Sequence, residues 1–403
     1  MTADTPEVYL DANASEPLRP QARDAMLAAC GLPLGNPSSG HRAGRRGRRI
    51  LADAREAVAA LVGAEPKDVV LTSGATEANA LAIRGVLAAT TRTAAVLTLT
   101  RAEHPSVLRL AERLAAEGAC VRYGGLGQDS RANPAELAAL CGNDTTLALL
   151  LAAQSVTGAI QPVRAFAQNL AGASTHIHCD ATQAVGRVPL AIRDLGVHTL
   201  SLSGHKFGAP PGIGALVFGQ TVRAGGARWQ APDGAASQEL GRRGGTEAVH
   251  LAAGLAAAAR AAANDLEARG ARDRALRTAM LDRLRSTLGG EVVLLSPAAE
   301  GDCLANTLLL AFEGCPGDAL LAALDGVGIC VSAGTACTSL ARTPPEVLLA
   351  SGRTRELAER AVRISWSWAT KDSDVAQLFV ALAALLPRVR AAYLDRTPRA
   401  NGS

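Results

Sequence analysis

A chain of 403 residues holds enough material for two lobes around a substantial core. Its formal charge of +4, on a composition rich in alanine and glycine and poor in aromatics, is too small a bias to argue for a nucleic-acid or acidic partner. Eight cysteines without close paired spacing suggest neither a zinc site nor a disulfide framework and point to a reducing cytoplasm. No signal-type segment opens the chain, and no apolar run reads as long enough to span a bilayer.

Five arginines between Arg42 and Arg49 read as the solvated face of a helix continuing through residues 52–56, rather than as an RNA site. Strands are expected near 68–72, 94–99, 146–151, 175–179, 198–202 and 213–218, with helices over 75–89, 105–117 and 163–172. This alternation is the signature of a mostly parallel sheet wrapped by helices. The alanine-rich run 247–288 reads as one long helix or a broken pair leading out of the large lobe. Residues 292–294, 307–311, 328–331 and 362–366 read as strands of a smaller α+β lobe, beside which the first dozen residues pack. The expected division is a large domain over 15–260, a small one over 261–395 joined by 1–14, and a disordered tail over 396–403.

The segment Ser203-Gly204-His205-Lys206 stands out because the chain has only three lysines. Arginine stays protonated and forms no imine, whereas a desolvated lysine can lose its proton and attack a carbonyl. Lys67 and Lys371 lie in polar turn-like stretches and read as solvated; Lys206 has small, apolar and hydroxyl neighbours. Upstream, a short strand ends in Asp180-Ala181-Thr182-Gln183. A carboxylate there can keep the ring nitrogen of pyridoxal 5'-phosphate protonated, and Gln183 can reach the phenolic oxygen. His176 and His178 point to one side of that strand, but without a third ligand they read as structural, and no metal is expected.

The third requirement is a phosphate site. A buried strand over 68–72 turns through Ser73-Gly74-Ala75-Thr76-Glu77 into a helix, where backbone N–H groups of Gly74, Ala75 and Thr76 can face an anion. Ser203 and His205 can add contacts.

In order and spacing these pieces resemble the class V aminotransferase family, specifically cysteine desulfurases of the NifS and IscS type, over nearly the whole chain. Gly35-Asn36-Pro37-Ser38-Ser39-Gly40-His41 resembles a family signature, and Glu103-His104 is similar to the family's ring-stacking histidine. Arg243-Gly244-Gly245-Thr246 resembles the segment whose threonine touches the phosphate of the neighbouring subunit, which implies a homodimer. Arg363-Ile364-Ser365 resembles the arginine that grips the substrate carboxylate. Ser332-Ala333-Gly334-Thr335-Ala336-Cys337-Thr338-Ser339 resembles the loop carrying the catalytic cysteine. The resemblance implies the type I fold of pyridoxal-dependent transferases, an α/β fold with L-cysteine as substrate. It also implies a persulfide on Cys337 that passes to an iron–sulfur scaffold or a tRNA-thiolation carrier. Chemically a thiolate suits sulfur abstraction, and a cysteine on a Gly/Ser/Thr-rich stretch is placed to react. Cys30, Cys120, Cys141, Cys179, Cys303 and Cys330 read as small core hydrophobes, and Cys315 as a turn residue.

Two stretches depart from the family. Gln154-Ser155-Val156 stands where an Asn-Asn-Glu motif is usual; Ser155 therefore replaces an asparagine that contacts the cofactor and seats the substrate carboxylate. Trp366-Ser367-Trp368 replaces a Leu-Gly-Arg, which implies a bulkier, less basic pocket rim. These departures leave open a cysteine or selenocysteine lyase, a dedicated sulfur donor, or a non-catalytic partner subunit.

Overall fold

The computed structural model describes residues 7–90, 94–219, 229–232, 238–333 and 344–394. The chain begins with β1 (Val8–Tyr9), α1 (Pro20–Cys30), α2 (Arg42–Val62), β2 (Val69–Thr72), α3 (Ala75–Ala89), β3 (Val96–Thr100), α4 (Pro105–Ala116) and β4 (Cys120–Gly124). It continues through α5 (Pro134–Ala139), β5 (Leu147–Leu149), α6 (Val163–Asn169), β6 (His176–Asp180), α7 (Ile192–Leu195), β7 (Thr199–Ser203) and β8 (Gly214–Phe218). The 40-residue α8 (Val249–Leu288) follows. Beyond it come β9 (Val292–Leu294), β10 (Thr307–Phe312), α9 (Gly317–Asp325), β11 (Ile329–Cys330), α10 (Glu346–Ala350), α11 (Arg355–Glu359), β12 (Ala361–Ser365) and α12 (Asp372–Leu394).

Seven strands form one sheet in the order β2-β8-β7-β6-β5-β3-β4. The run from β7 to β4 is parallel, whereas β8 lies antiparallel to both β7 and β2. β2, β3, β5, β6, β7 and β8 are buried at every position, as strands covered on both faces by helices must be, which is why they read as apolar runs. β4 was missed because Cys120–Gly124 mixes Arg122, Tyr123 and a terminal glycine; it lies at one end of the sheet and is only partly buried. β2, β3, β6 and β7 all point the same way, so the turns after them gather at one edge of the sheet.

Alanine has the best intrinsic helix propensity, and α8 is alanine-rich and unbroken. Its first part, including Ala252, Leu255 and Ala259, packs in the large core; Met280 and Leu284 pack in the core of the smaller lobe. The expected boundary at 260/261 falls inside this helix. In the smaller lobe β9, β10 and β12 make an antiparallel sheet, and β1 pairs in parallel with β11, as expected of the first residues.

Period-two alternation along β12 corrects one expectation. Val362, Ile364 and Trp366 point into the small-lobe core, while Arg363 and Ser365 face the N-terminal segment. Trp366 is fully buried and does not form a pocket rim. Trp368 is half-buried; its Nε1 donates to the Pro17 carbonyl at 3.2 Å, and the Arg19 guanidinium lies over its ring. A second correction concerns α12. Residues Asp372–Tyr393, with mean hydropathy 1.5, are long and apolar enough to cross a membrane. Val375, Leu378, Phe379, Leu382 and Leu386 use one face of that helix as small-lobe core. Among the cysteines, Cys179 and Cys303 are buried as expected, but Cys30 and Cys120 are exposed; Cys315 closes a turn, as expected, with its N–H donating to the Phe312 carbonyl, and is also buried in the small-lobe core. Cys337 and the tail over 396–403 lie outside the described residues.

Candidate active site

The four turns at the sheet edge bring most of the candidate residues together. Gly74 ends the turn after β2 with φ of 153°, a conformation that side chains rarely adopt, and a Cβ there would lie 3.5 Å from Ser203 Oγ. No side chain caps α3, so the N–H groups of Ala75 and Thr76 are left facing outward at the positive end of a 15-residue helix. Thr76 is exposed and Ser203 buried. Such a turn could hold a phosphate. Glu77 is turned away from it: its carboxylate accepts from Ser73 N and from Arg243 at 2.7 Å. Burial would push Glu77 up, but Arg243 and Ser73 hold it below the usual carboxylate range. Arg243 therefore sits beside its own chain's 73–76 turn, and Thr246 is exposed.

Asp180 closes β6, buried, with Oδ1 accepting from Thr182 N at 3.0 Å and Oδ2 from Asn79 Nδ2 at 2.8 Å. Behind it lies a network that the sequence did not reveal. The Oδ1 of Asn79 accepts from Ser201 Oγ and meets His178 Nε2 at 3.0 Å; His178 Nδ1 and His176 Nε2 each meet Thr199 Oγ1 at 2.9 Å. Burial pulls His178 down to about 4, so it is neutral and carries its proton on Nε2 toward Asn79. The two histidines are structural, as expected, and His178 is also a buttress of Asp180. Asn79 was discoverable as the one polar residue in the buried stripe of α3 formed by Ala78, Leu81, Ala82 and Ile83. Asn79→Ala leaves Ser201, His178 and Asp180 without a shared partner and should lower unfolding free energy by about 2 kcal/mol, read by urea denaturation.

His104 follows β3 and caps α4. Its Nδ1 accepts from Ser106 N at 3.1 Å and lies 2.8 Å from Ser106 Oγ. Burial, with Lys206 and Arg109 nearby, lowers its pKa against the pull of Asp180. The result is a neutral imidazole with its proton on Nε2. Beside it, burial pushes the Glu103 carboxyl up to about 8, and Glu103 accepts from Leu151 N at 2.8 Å.

Lys206 ends the short turn after β7. Its amine donates to the carbonyls of Asn13 at 2.8 Å and Ala14 at 2.7 Å. Burial, with Arg187 and Arg363 in range, pulls it down to about 7. Lys67 is exposed and paired with Glu65, and Lys371 is exposed, as expected of solvated lysines. His205 meets Ser15 Oγ at 3.1 Å, and burial with Lys206 beside it pulls its imidazole down to about 4.

The other expectations meet occupied side chains. Gln183 donates to the Asn13 carbonyl at 2.9 Å and accepts from Arg187. Arg363 is buried; Nη2 donates to Asp11 at 2.6 Å and Nη1 to the Ser155 carbonyl at 2.9 Å, while its Nε has no hydrogen-bond partner among the described residues. A substrate carboxylate reaching Arg363 must therefore compete with Asp11. Ser155 contributes its carbonyl, shared with Asn13 Nδ2 at 3.0 Å. Asn13, which the sequence did not single out, joins both lobes: it also holds Thr307 and Ser365. Two backbone hydrogen bonds pair Ser332 with Arg363, so the chain leaves for Cys337 from beside the arginine.

An amine whose charge burial disfavours, a strand-end carboxylate, a buried imidazole and an uncapped helix N-terminus are residues that fit pyridoxal 5'-phosphate. The class V aminotransferase model matches residues 8–378, and the chain belongs to that family. It is 36% identical over 400 residues to an IscS-like cysteine desulfurase of Mycobacterium tuberculosis, covering 96% of this chain and 98% of that one. It is 33% identical over 394 residues to a cysteine desulfurase of Nostoc sp., covering 95% and 94%. Among solved structures, a NifS-like protein superposes with TM-score 0.85 at 28% identity, covering 94% of this chain and 99% of that one. DndA from Streptomyces lividans does so with TM-score 0.74 at 32% identity, covering 89% and 99%. The mostly parallel α/β sheet is the type I fold of these enzymes.

Proposed function

We propose that this protein is a pyridoxal-phosphate-dependent cysteine desulfurase, which converts L-cysteine to L-alanine and leaves the sulfur as a persulfide on Cys337. The observation that carries the proposal is the Lys206 amine, pulled down by burial to about 7 and donating to two backbone carbonyls in a chain with three lysines. Bound pyridoxal phosphate supplies an electron sink for negative charge at the substrate Cα. Gly74, Ala75, Thr76 and Ser203 would hold its phosphate, with Thr246 from a second copy and His205 as further contacts. Asp180, aligned by Asn79, would keep a proton on the ring nitrogen; His104 would cover the ring, and Gln183 and Ser155 would lie near its oxygen.

Lys206 would hold the cofactor, and its amine is the group placed to take the substrate's Cα proton and later return one. Arg363 orients the substrate carboxylate. The Cys337 thiolate then attacks the substrate sulfur: the S–S bond forms as the C–S bond breaks, and protonation at Cβ completes alanine. Ser332, paired to Arg363, is five residues before Cys337, a chain length that reaches at most about 18 Å. A structure of SspA, 27% identical to this chain, was solved in complex with cysteine, which supports the choice of substrate.

The proposal includes a homodimer, a cytoplasmic setting and a protein acceptor for the sulfur, either an iron–sulfur scaffold or a sulfur carrier. The unpaired cysteines among the described residues support the reducing setting. The test is product analysis after incubation with L-cysteine and a thiol: alanine and sulfide in equal amounts are expected. Pyruvate and ammonia in their place would assign the site to a lyase.

A further inference from the structure

A series of buried charges runs from the Lys206 backbone to the small lobe, outside the roles given above. Arg187 lies four residues after Gln183. Its Nη2 donates to the carbonyls of Ala12 at 3.0 Å and Lys206 at 3.3 Å and pairs with Glu16 at 3.4 Å. Its Nη1 donates to Asn13 Oδ1 at 2.9 Å and to Gln183 Oε1. Both oxygens of Glu16 are taken by Arg269 of α8. Arg269 pairs with Asp273 at 3.4 Å, and Asp273 Oδ1 accepts from Trp366 Nε1 at 3.0 Å. The two arginines and two carboxylates are buried and sum to zero charge, so each depends on its neighbours being in place.

We propose that Arg187 is a positioning residue for Lys206, clamped by Glu16 and, through the Arg269–Asp273–Trp366 series, by the small lobe. A guanidinium is a rigid planar fork, so a single residue fixes the Lys206 carbonyl, Gln183 and the Asn13 side chain together. The carbonyl of that same Asn13 receives the Lys206 amine. Arg187 also presents positive charge to the amine and so discourages its protonation. The other charged or titratable groups facing Lys206 are Asp11, Asp180, Arg363, His104 and His205. The inference rests on Lys206 being the reacting amine, and it is tested without cofactor or substrate, so that its failure is distinct from absence of alanine production.

The measurement is trace acetylation of the full-length apoprotein across pH, with peptide mass spectrometry reading Lys206 against Lys67 and Lys371 as internal references. Arg187→Gln removes a facing positive charge and should raise the Lys206 midpoint by about one pH unit. Glu16→Gln removes the opposite charge and should lower it. A merely structural role behaves differently, because a loosened, wetter pocket moves both midpoints upward toward that of an ordinary lysine. Opposite shifts support the positioning role; two upward shifts, or none, overturn it. If Arg187→Gln does not fold by circular dichroism, the sign of the Glu16→Gln shift decides alone.

Discussion

Lys206→Ala is expected to give a folded protein that is colourless with added pyridoxal phosphate and at least about a thousandfold slower in forming alanine. The size of the effect follows from two roles in one amine, anchoring the cofactor and carrying the Cα proton. Neither remaining lysine can substitute: Lys67 is exposed and ion-paired with Glu65, and Lys371 is exposed, so neither lies in the buried setting that Lys206 occupies. Removing an amine whose burial disfavours its charge leaves no buried ion unpaired, so the fold is expected to survive. The readout is the visible absorbance band of purified protein, followed by borohydride reduction and peptide mapping. A band that persists in the variant, with reduction tagging Lys67 or Lys371, would move the attachment site and end the assignment.

Cys337→Ala is expected to separate substrate binding from turnover. The variant should still bind pyridoxal phosphate and still change its spectrum on addition of L-cysteine, because Lys206, Asp180 and Arg363 are untouched. Alanine release should fall by more than about a hundredfold, since the sulfur has no positioned thiolate to move to. A lyase expelling sulfide by β-elimination would keep most of its activity and make pyruvate. Alanine formation by Cys337→Ala near the unmodified rate would sink the persulfide mechanism.

Much of the site was legible because its chemistry restricts residue type. An imine needs an amine, a protonated ring nitrogen needs a carboxylate, and a close approach to phosphate needs glycine and small residues at a helix start. Lys206 and Gly74 each follow a strand at short spacing and Asp180 ends one, and parallel strands deliver such positions to one edge. What stayed illegible depends on partners far apart in the chain. Asn13 meets Lys206, Ser155 and Thr307, and no local pattern marks an asparagine for that task. Arg363 was singled out for a substrate carboxylate, yet only the fold reveals that Asp11 already occupies its Nη2.

The sequence by itself determined the α/β class and the run of buried strands, and it singled out Lys206 as the candidate amine, since apolar periodicity and residue chemistry are local properties. The tertiary structure decided the environment of each group. Trp366 reads as a rim residue until the alternation of β12 turns it into the core, where its indole N–H ends a buried ion series beginning beside Lys206. Burial, the proximity of unlike segments and the resulting shifts in protonation arise only when α8, β12 and the N-terminal segment meet, because electrostatics acts through space rather than along the chain.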